Sequence, residues 1–208
     1  SIKYGLYTAD FGRFIEFRVM TKGGNHRIIE AIGRNLVDNP AVGGVVINAR
    51  DITERRIAED KLWYLSTHDT MTDLYNRAYF NEEISRIERG RIFPISIFMT
   101  DLDGLKEVND DLGHSAGDEL LKRTALLLRS SFRSEDVVAR IGGDEFAVLL
   151  PGADENAAQA AMTRVRRNLQ AMNEKMGDPI LSLSFGVATG QKGMSLEEVL
   201  RKADENMY

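Results

Sequence analysis

The sequence predicts a mixed α/β protein of the α+β type, with a ferredoxin-like sheet preceded by a small antiparallel sheet and a connecting helix. Three observations support this: short apolar runs over 1–50, an amphipathic run over 51–68, and alternating helix and strand patterns over 69–208. In the last segment the order is strand, helix, hairpin, helix, strand, helix, which is typical of a split βαβ arrangement with additions. We expect helices to cover one face of this sheet.

The segment 1–50 contains three short apolar runs, separated by the turn residues 23–25 and 38–40. Gly, Asn, Asp and Pro in such short stretches are typical of turns. We therefore expect an antiparallel sheet of about three strands. Because so small a sheet buries little apolar surface by itself, we expect it to be the C-terminal part of a larger domain.

Residues 51–68 have the pattern of a helix whose start Asp51 can cap. Ala58, Leu62 and Leu65 follow a four-then-three spacing that also fits a coiled-coil seam. A coiled coil normally needs about three or four heptads to be identified from its pattern. A plain connecting helix and a dimerising helix therefore both remain open.

The segment 69–208 contains helical patterns of apolar residues and continuous apolar runs that predict strands. The predicted elements are a helix over 76–89, a strand over 95–99 that ends at Thr100-Asp101, a helix over 118–132, strands over 137–141 and 146–150, a helix over about 158–172, a strand over 181–188, and a last helix capped by Ser195 with Glu198.

Composition excludes several classes of function. The net charge of −5 argues against a nucleic-acid partner, since nucleic-acid binders usually carry a basic surplus. No apolar run approaches the roughly 20 residues needed to span a membrane, and the start at Ser1–Tyr4 shows no signal peptide. The absence of cysteine excludes disulfides and thiolate metal sites. We expect a cytoplasmic protein, or the cytoplasmic part of a longer one.

Two acidic side chains lie where the strand over 95–99 ends. Asp101 and Asp103 are two positions apart, so their side chains share one face while the strand continues. Carboxylates gathered at a strand end suit Mg²⁺, which prefers oxygen ligands. An Asp-x-Asp at this place also often forms a turn or a cap, and this alternative stays open from the pattern alone.

A second acidic pair lies in the predicted hairpin, at Asp144 and Glu145 after Gly142-Gly143. The two glycines permit positive φ angles and let a ligand approach closely. Neighbouring acids at a turn tip repel each other unless a cation lies between them. If the two central strands are neighbours, Asp101 joins this pair. A solvated type I′ hairpin without a ligand is the alternative.

The polar segment 109–118 follows at once and leads into a helix. Guanine presents N1–H and N2–H₂ groups on one edge. The Asp118 carboxylate can accept both, and the Asn109 amide can add a further contact. The alternative for Asp118 is an ordinary helix N-cap.

Three motifs in this order resemble one family. Residues 142–146 spell the GGDEF signature, residues 99–120 resemble the family's Asp-x-Asp element followed by Gly-His-x-x-Gly-Asp, and residues 67–77 resemble its entry segment. Over 67–208 the chain resembles a GGDEF-domain diguanylate cyclase, and the resemblance implies a palm-type domain that condenses two GTP molecules into cyclic di-GMP. A catalytically inactive receptor that binds GTP or cyclic di-GMP is the alternative, and a dimerisation scaffold is a third.

The resemblance implies the role of each residue. Asp101, the Leu102 carbonyl and Asp144 would bind Mg²⁺ (or Mn²⁺), and Glu145 would bind a second ion. Asn109 and Asp118 would bind guanine. Lys106 would contact the phosphates, and Gly142 and Gly143 are expected to be part of the substrate-binding site. Asp144, Glu145 or the metal would help to deprotonate the attacking 3′-hydroxyl. Each domain would hold one GTP, so the mechanism implies a homodimer.

A second site is also implied by the resemblance. Arg133 and Asp136 form an Arg-x-x-Asp element, which in the family binds cyclic di-GMP as an inhibitory product, and Arg140 would join it. An exposed ion pair is the alternative.

The sequence departs from the family in a few places. Leu105 stands where Phe is usual, and Asp73 stands where Gly is common. The resemblance stops at Tyr208, before the Lys and Arg with which family members usually continue, and we expect weaker GTP binding without them. The segment 48–56 resembles the end of a PAS domain. We therefore expect 1–50 to be the C-terminal part of a PAS-like sensory domain that regulates synthesis.

Overall fold

The computed structural model describes residues 14–90 and 92–207, and it contains two compact units, one that ends at Trp63 and one that begins at Tyr64. The sequence features at Ser1–Tyr4 and at Tyr208 lie outside the described residues, as does the first part of the predicted N-terminal segment. In the described part of the chain, no helix is long and apolar enough to cross a lipid bilayer.

The first unit is built on a three-stranded antiparallel sheet, as the sequence predicts. Its strands are β1 (Ile15–Met20), β2 (His26–Leu36) and β3 (Gly44–Asp51), in the order β1-β2-β3. Among the described residues of this unit, the buried apolar side chains are Ala31 and Ile52. So little burial agrees with the expectation that a sheet of this size is a weak domain by itself.

Helix α1 (Thr53–Thr67) follows directly. The Asp51 carboxylate accepts a hydrogen bond from the Thr53 backbone N–H at 2.9 Å, so it pairs the first N–H of the helix although Asp51 is the last residue of β3. The seam residues Ala58, Leu62 and Leu65 are all exposed. The dimerising role of this helix stays a prediction.

The second unit contains a five-stranded sheet with helices packed against it. The strands are β4 (Tyr75–Asn76), β5 (Ile95–Leu102), β6 (Val137–Arg140), β7 (Glu145–Pro151) and β8 (Leu183–Gly190); the helices are α2 (Arg77–Arg89), α3 (Leu105–Leu112), α4 (His114–Ser131), α5 (Glu155–Met176) and α6 (Leu196–Glu205). The strand order is β4-β6-β7-β5-β8. The interior strand β5 is antiparallel to both β7 and β8, and β6 is antiparallel to β7. This mixed α+β fold confirms the predicted class.

Helices cover both faces of this sheet, so the expectation of one covered face is wrong. Phe98 and Leu102 of β5 pack with residues of α4 and α5. Ile97 and Met99 of the same strand lie in a second cluster with residues of α2 and α6. A central strand that is apolar on both sides must be covered on both sides.

Three local details also differ from the expectations. Helix α3 was not predicted, although Leu105 and Val108 pack one of its sides against the core. Helix α4 begins at His114, four residues before the predicted start at Asp118. Ser195 is the N-cap residue of α6 but its side chain makes no capping bond.

A carboxylate from another helix accepts the hydrogen bond at the start of α6. Glu88 from α2 accepts the Leu196 backbone N–H at 2.7 Å. The unpaired N–H groups of a helix start need an acceptor, and here it comes from a distant element that sequence spacing does not indicate.

Candidate functional site

Asp101 and Glu145 are directly opposite each other on neighbouring antiparallel strands, β5 and β7. Directly opposite residues have side chains on the same face of a sheet, with Cβ atoms about 5 Å apart. The Leu102 backbone N–H donates to the Asp144 carbonyl at 3.0 Å, which fixes the end of β5 to the turn. The predicted meeting of Asp101 with the Gly-Gly turn is therefore present in the structure.

Negative charge accumulates around Asp101. Burial raises the pKa of its carboxyl, and the neighbouring charges of Asp144 and Glu145 raise it further, followed by those of Asp103 and Asp204. Within residues 14–90 and 92–207, no three acidic or histidine side chains are arranged to hold a metal ion as they stand. Mg²⁺ is commonly bound by only one or two carboxylates together with substrate phosphates. The oxygen-rich donor set and its mutual repulsion fit such a cation.

The two acids of the Asp-x-Asp pair have different surroundings. Asp103 accepts hydrogen bonds from the Ser182 and Ser184 hydroxyls, each at 2.7 Å, and its N–H donates to the Ser182 carbonyl at 3.0 Å. Its carboxylate therefore links the end of β5 to the segment leading into β8. The Asp103 carboxylate is thus bonded to a distant segment of the chain, whereas Asp101 lies beside the Asp144-Glu145 pair.

Of the two glycines in the turn, Gly142 is needed for space, Gly143 is not, and neither has a special backbone angle. Neither Gly142 nor Gly143 has a positive φ, so the type I′ alternative and the expected use of positive φ are both wrong. A Cβ at Gly142 would collide with the Glu145 carboxylate. A Cβ at Gly143 would meet no described atom within 4 Å. Contacts within the protein thus explain why glycine is needed at position 142, but they do not explain the glycine at position 143.

Arg140 links the turn to the segment 67–77 by hydrogen bonds. Its guanidinium donates to the Gly143 carbonyl at 2.6 Å and to the Asp69 carboxylate at 3.2 Å. Asp69 also accepts the Thr72 backbone N–H at 2.9 Å. Asp69 lies within the entry segment over 67–77, but the sequence pattern does not indicate this role for it.

Asn109 and Asp118 lie on adjacent helices, α3 and α4, and both are half-buried. A Cβ at Gly117 would collide with the Asn109 amide oxygen, so this glycine lets the Asn109 side chain lie against α4. Because α4 begins at His114, Asp118 is inside the helix and the N-cap alternative is excluded. Lys106 is exposed in the first turn of α3.

Glu145 also borders a cavity of about 630 Å³ between the sheet and α6. Arg77, Arg201 and Asp204 line it as well. These three residues were not predicted as site residues. Only Asp204 had a usable signal, since it belongs to the acidic segment at 203–208.

Arg133 and Asp136 line a second cavity, of about 410 Å³. The Asp136 carboxylate accepts the Arg133 backbone N–H at 2.8 Å, while the Arg133 side chain is 76% exposed with its nearest acid, Glu135, at 3.8 Å. Arg140 is not among the lining residues, and its guanidinium is bonded at the turn. Its membership of a product site therefore stays a prediction.

Comparison with known proteins gives a consistent result. The family model "Diguanylate cyclase, GGDEF domain" matches residues 66–208. The probable diguanylate cyclase DgcE of Escherichia coli K12 is 36% identical over 178 residues, which is 81% of this chain and 16% of that protein. The chain spans between 16% and 25% of the length of the first curated relatives that it matches.

Two solved structures resemble the second unit. The GGDEF domain of YfiN from Pseudomonas aeruginosa is 36% identical, with a TM-score of 0.58 over 66% of this chain and 84% of that one. The GGDEF domain of DgcB from Caulobacter crescentus, solved in complex with c-di-GMP, is 26% identical, with a TM-score of 0.60 over 67% of this chain and 86% of that one.

Proposed function

This chain belongs to the diguanylate cyclase GGDEF-domain family, and from that premise we propose that it condenses two GTP molecules into cyclic di-GMP and two pyrophosphates. The observation that carries the proposal is the register of β5 with β7. It brings Asp101 opposite Glu145 and bonds Leu102 to Asp144. The receptor alternative does not require these acids, and their proximity supports the cyclase.

The metal site is the first part of the proposal. The Asp101 carboxylate, the Leu102 carbonyl and Asp144 would hold Mg²⁺ or Mn²⁺, with Glu145 contributing to a second ion. A bound cation of this kind neutralises phosphate charge and makes a hydroxyl easier to deprotonate. The crowding of negative charge around Asp101 supports this assignment.

The nucleoside end of GTP would lie between α3 and α4. Asp118 would accept from the N1–H and N2–H₂ groups of guanine, and Asn109 would add an amide contact. Both side chains are half-buried on adjacent helices, which supports this assignment. Lys106, exposed at the start of α3, would approach the phosphates together with Gly142 and Gly143.

The reaction needs two copies of the domain. The 3′-oxygen of one GTP forms a bond to the α-phosphorus of the other while the bond to the bridging oxygen of pyrophosphate breaks. The hydroxyl proton passes to a turn carboxylate, Asp144 or Glu145, and then to solvent. The same step in the opposite direction closes the ring. The proposed reaction therefore requires a homodimer, because each domain would hold only one GTP.

The upstream segment supplies the proposed regulation. Residues 1–50 would be the C-terminal part of a PAS-like sensory domain, and helix α1 would connect it to the cyclase. The cavity at Arg133 and Asp136 would bind cyclic di-GMP as an inhibitor. Since GTP is the substrate, we place the catalytic unit in the cytoplasm.

One assay tests the proposal against its alternative. The protein is incubated with GTP and Mg²⁺, and the products are separated by chromatography. We expect cyclic di-GMP and pyrophosphate, and we expect neither from Asp144→Ala with an unchanged circular dichroism spectrum. If wild type makes no product but binds cyclic di-GMP in a titration, the receptor alternative holds and the cyclase is rejected.

A further inference from the structure

Asp73 has an unusual backbone conformation. Its φ of 59° lies in the left-handed region, and no other non-glycine residue among those that the structure describes has a positive φ. Glycine adopts this conformation without strain, whereas other residues do so at a cost. Asp enters this region more readily than most side chains, and the contacts of Asp73 show what holds it there.

The Asp73 carboxylate joins two elements. One oxygen accepts a hydrogen bond from the Tyr64 hydroxyl, near the end of α1. The other accepts two hydrogen bonds from the Arg129 guanidinium on α4, each at 2.9 Å. Asp73 thus occupies the donor edge that Arg129 would otherwise present to an anion.

This contact lies on the wall of the cavity that also contains Arg133 and Asp136. Arg129 and Arg133 both line this cavity. Guanidinium groups suit both phosphate and guanine. The cavity therefore has the chemistry for an anionic purine nucleotide, but one of its two arginines is bound to Asp73.

We infer that Arg129 is a phosphate-binding residue of this cavity and that Asp73 is a built-in competitor which lowers the affinity for the nucleotide. The inference rests on the proposed product site and deepens it. In the free protein Arg129 is held by Asp73. When cyclic di-GMP binds, a phosphate replaces the carboxylate on Arg129, and Asp73 keeps its hydrogen bond to Tyr64.

Exposure makes this exchange feasible. The side chains of Asp73 and Arg129 are 52% and 58% exposed, so their ion pair is weakened by water and salt. A phosphate can offer two oxygens to a guanidinium, which is a stronger arrangement. The apparent affinity for the ligand is proportional to the fraction of protein in which Arg129 is released, so it falls as Asp73 holds Arg129 in more of the molecules. Asp73 therefore sets the product concentration at which inhibition begins.

Binding of cyclic di-GMP is measured by isothermal titration to the full chain, and product inhibition is measured in the same variants. Asp73→Asn keeps the shape and tolerates a positive φ but removes the charge, and Asp73→Gly is a second variant that favours this φ. We expect both to bind about threefold to fivefold more tightly, the range set by an exposed ion pair. Inhibition should begin at lower product concentration, with the initial rate unchanged.

Arg129→Ala should bind more weakly than wild type. The double variant Asp73→Asn with Arg129→Ala should bind no better than Arg129→Ala alone, because the gain depends on Arg129. Tyr64→Phe, which leaves the ion pair in place, should change affinity less than Asp73→Asn.

The outcomes separate this inference from the proposed function. If wild type binds cyclic di-GMP and Arg133→Ala weakens that binding, while Asp73→Asn and Asp73→Gly leave it unchanged, the competitor role is rejected and the product site stands. If wild type binds no cyclic di-GMP, the product site is rejected and the competitor role with it. Synthesis from GTP is a separate readout and survives either result.

Discussion

The Arg140 guanidinium lies 3.2 Å from the Asp69 carboxylate, and both side chains are largely buried, at 12% and 26% exposure. The same guanidinium donates to the Gly143 carbonyl at 2.6 Å. Asp69 therefore positions Arg140, and Arg140 in turn holds the turn that carries Asp144 and Glu145. A contact between the entry motif and the hairpin, far apart in sequence, thus fixes the acidic site.

Asp69→Asn should make the free energy of unfolding less dependent on pH in the acidic range. Burial raises the pKa of Asp69, but hydrogen bonds from Thr72 and the charge of Arg140 outweigh it and hold the pKa below its usual value. The ionised form therefore stabilises the fold above the unfolded pKa of about 3.9, and this stabilisation is lost as the pH falls through the folded pKa.

Denaturant unfolding at a series of pH values checks this prediction. Asp69→Asn should cost roughly 1–3 kcal/mol at neutral pH, as expected for lost hydrogen bonds to a charged group, and the difference from wild type should shrink below about pH 4. Glu82→Gln, at an exposed position of α2, is the control. A difference that stays constant down to low pH would contradict the role given to Asp69.

Asp101→Asn and Asp103→Asn should behave differently although the residues are two positions apart. Asp101→Asn removes the carboxylate that faces Glu145, so synthesis should fall by at least about a hundredfold, as for loss of a charge-stabilising group. In Asp103→Asn the charged carboxylate that accepts hydrogen bonds from Ser182 and Ser184 is replaced by a neutral amide. This substitution should lower stability by about 1–2 kcal/mol and leave the Mg²⁺ dependence of the rate close to that of wild type.

The measurement is the initial rate of synthesis against Mg²⁺ and Mn²⁺ concentration, together with thermal unfolding of each variant. EDTA should abolish synthesis by wild type, and added Mg²⁺ should restore it. If Asp103→Asn shifted the metal dependence more than Asp101→Asn, the assignment of Asp101 as the ligand would be reversed.

The fold class is predictable from patterns within single elements, and the meeting of Asp101 with the turn follows once the two strands that carry them are paired. An apolar run that ends in Asp, and Gly-Gly followed by two acids, are visible in the sequence. The order of elements alone does not indicate that both sheet faces are covered, although the continuous apolar pattern of β5 does. The contact of Glu88 with the start of α6 is not predictable from spacing because it spans 108 positions of sequence.

The glycine angles show a different limit of sequence reasoning. Glycine in a turn predicts positive φ on average, but Gly142 is needed because Glu145 lies over it. Asp73 shows the reverse, since a positive φ is found at a non-glycine residue that two hydrogen-bonding partners hold. Spacing cannot reveal either case, because each depends on a side chain from elsewhere in the fold.

Gly142→Ala and Gly143→Ala should separate a steric role within the chain from a role towards the ligand. The methyl group at position 142 would displace the Glu145 carboxylate, so Gly142→Ala should lower kcat by about tenfold or more. Gly143→Ala meets no described atom of the protein and has an ordinary φ. Its stability should match wild type within about 0.5 kcal/mol, while KM for GTP rises because the methyl group meets the phosphates.

Steady-state kinetics and thermal unfolding of both variants test this pair. An unchanged KM in Gly143→Ala would show that no phosphate approaches that residue. An unchanged kcat in Gly142→Ala would mean that Glu145 can leave its present position without loss.

Asp118→Ala should reduce the preference for guanine. Inosine triphosphate lacks the N2 amine, so wild type should use GTP better, by about tenfold for one hydrogen bond to a charged acceptor. In Asp118→Ala this ratio of kcat/KM values should fall towards one, because the acceptor is gone. Asp110→Ala, an exposed acid on α3, removes the same charge and should keep the wild-type ratio. A ratio that Asp118→Ala leaves unchanged would move guanine recognition elsewhere.

Arg133→Ala should relieve inhibition by the product. Arg133 is a better choice than Asp136 for this test. The Asp136 carboxylate also accepts the Arg133 backbone N–H at 2.8 Å, so a substitution of Asp136 would disturb the loop. The exposed Arg133 side chain can be removed with little effect on the fold. Loss of a guanidinium bound to phosphate should raise the half-inhibitory concentration by about tenfold or more. Lys122→Ala, an exposed cation on α4, removes the same charge and should leave the inhibition curve in place. Equal curves for Arg133→Ala and wild type would reject the cavity as the inhibitory site.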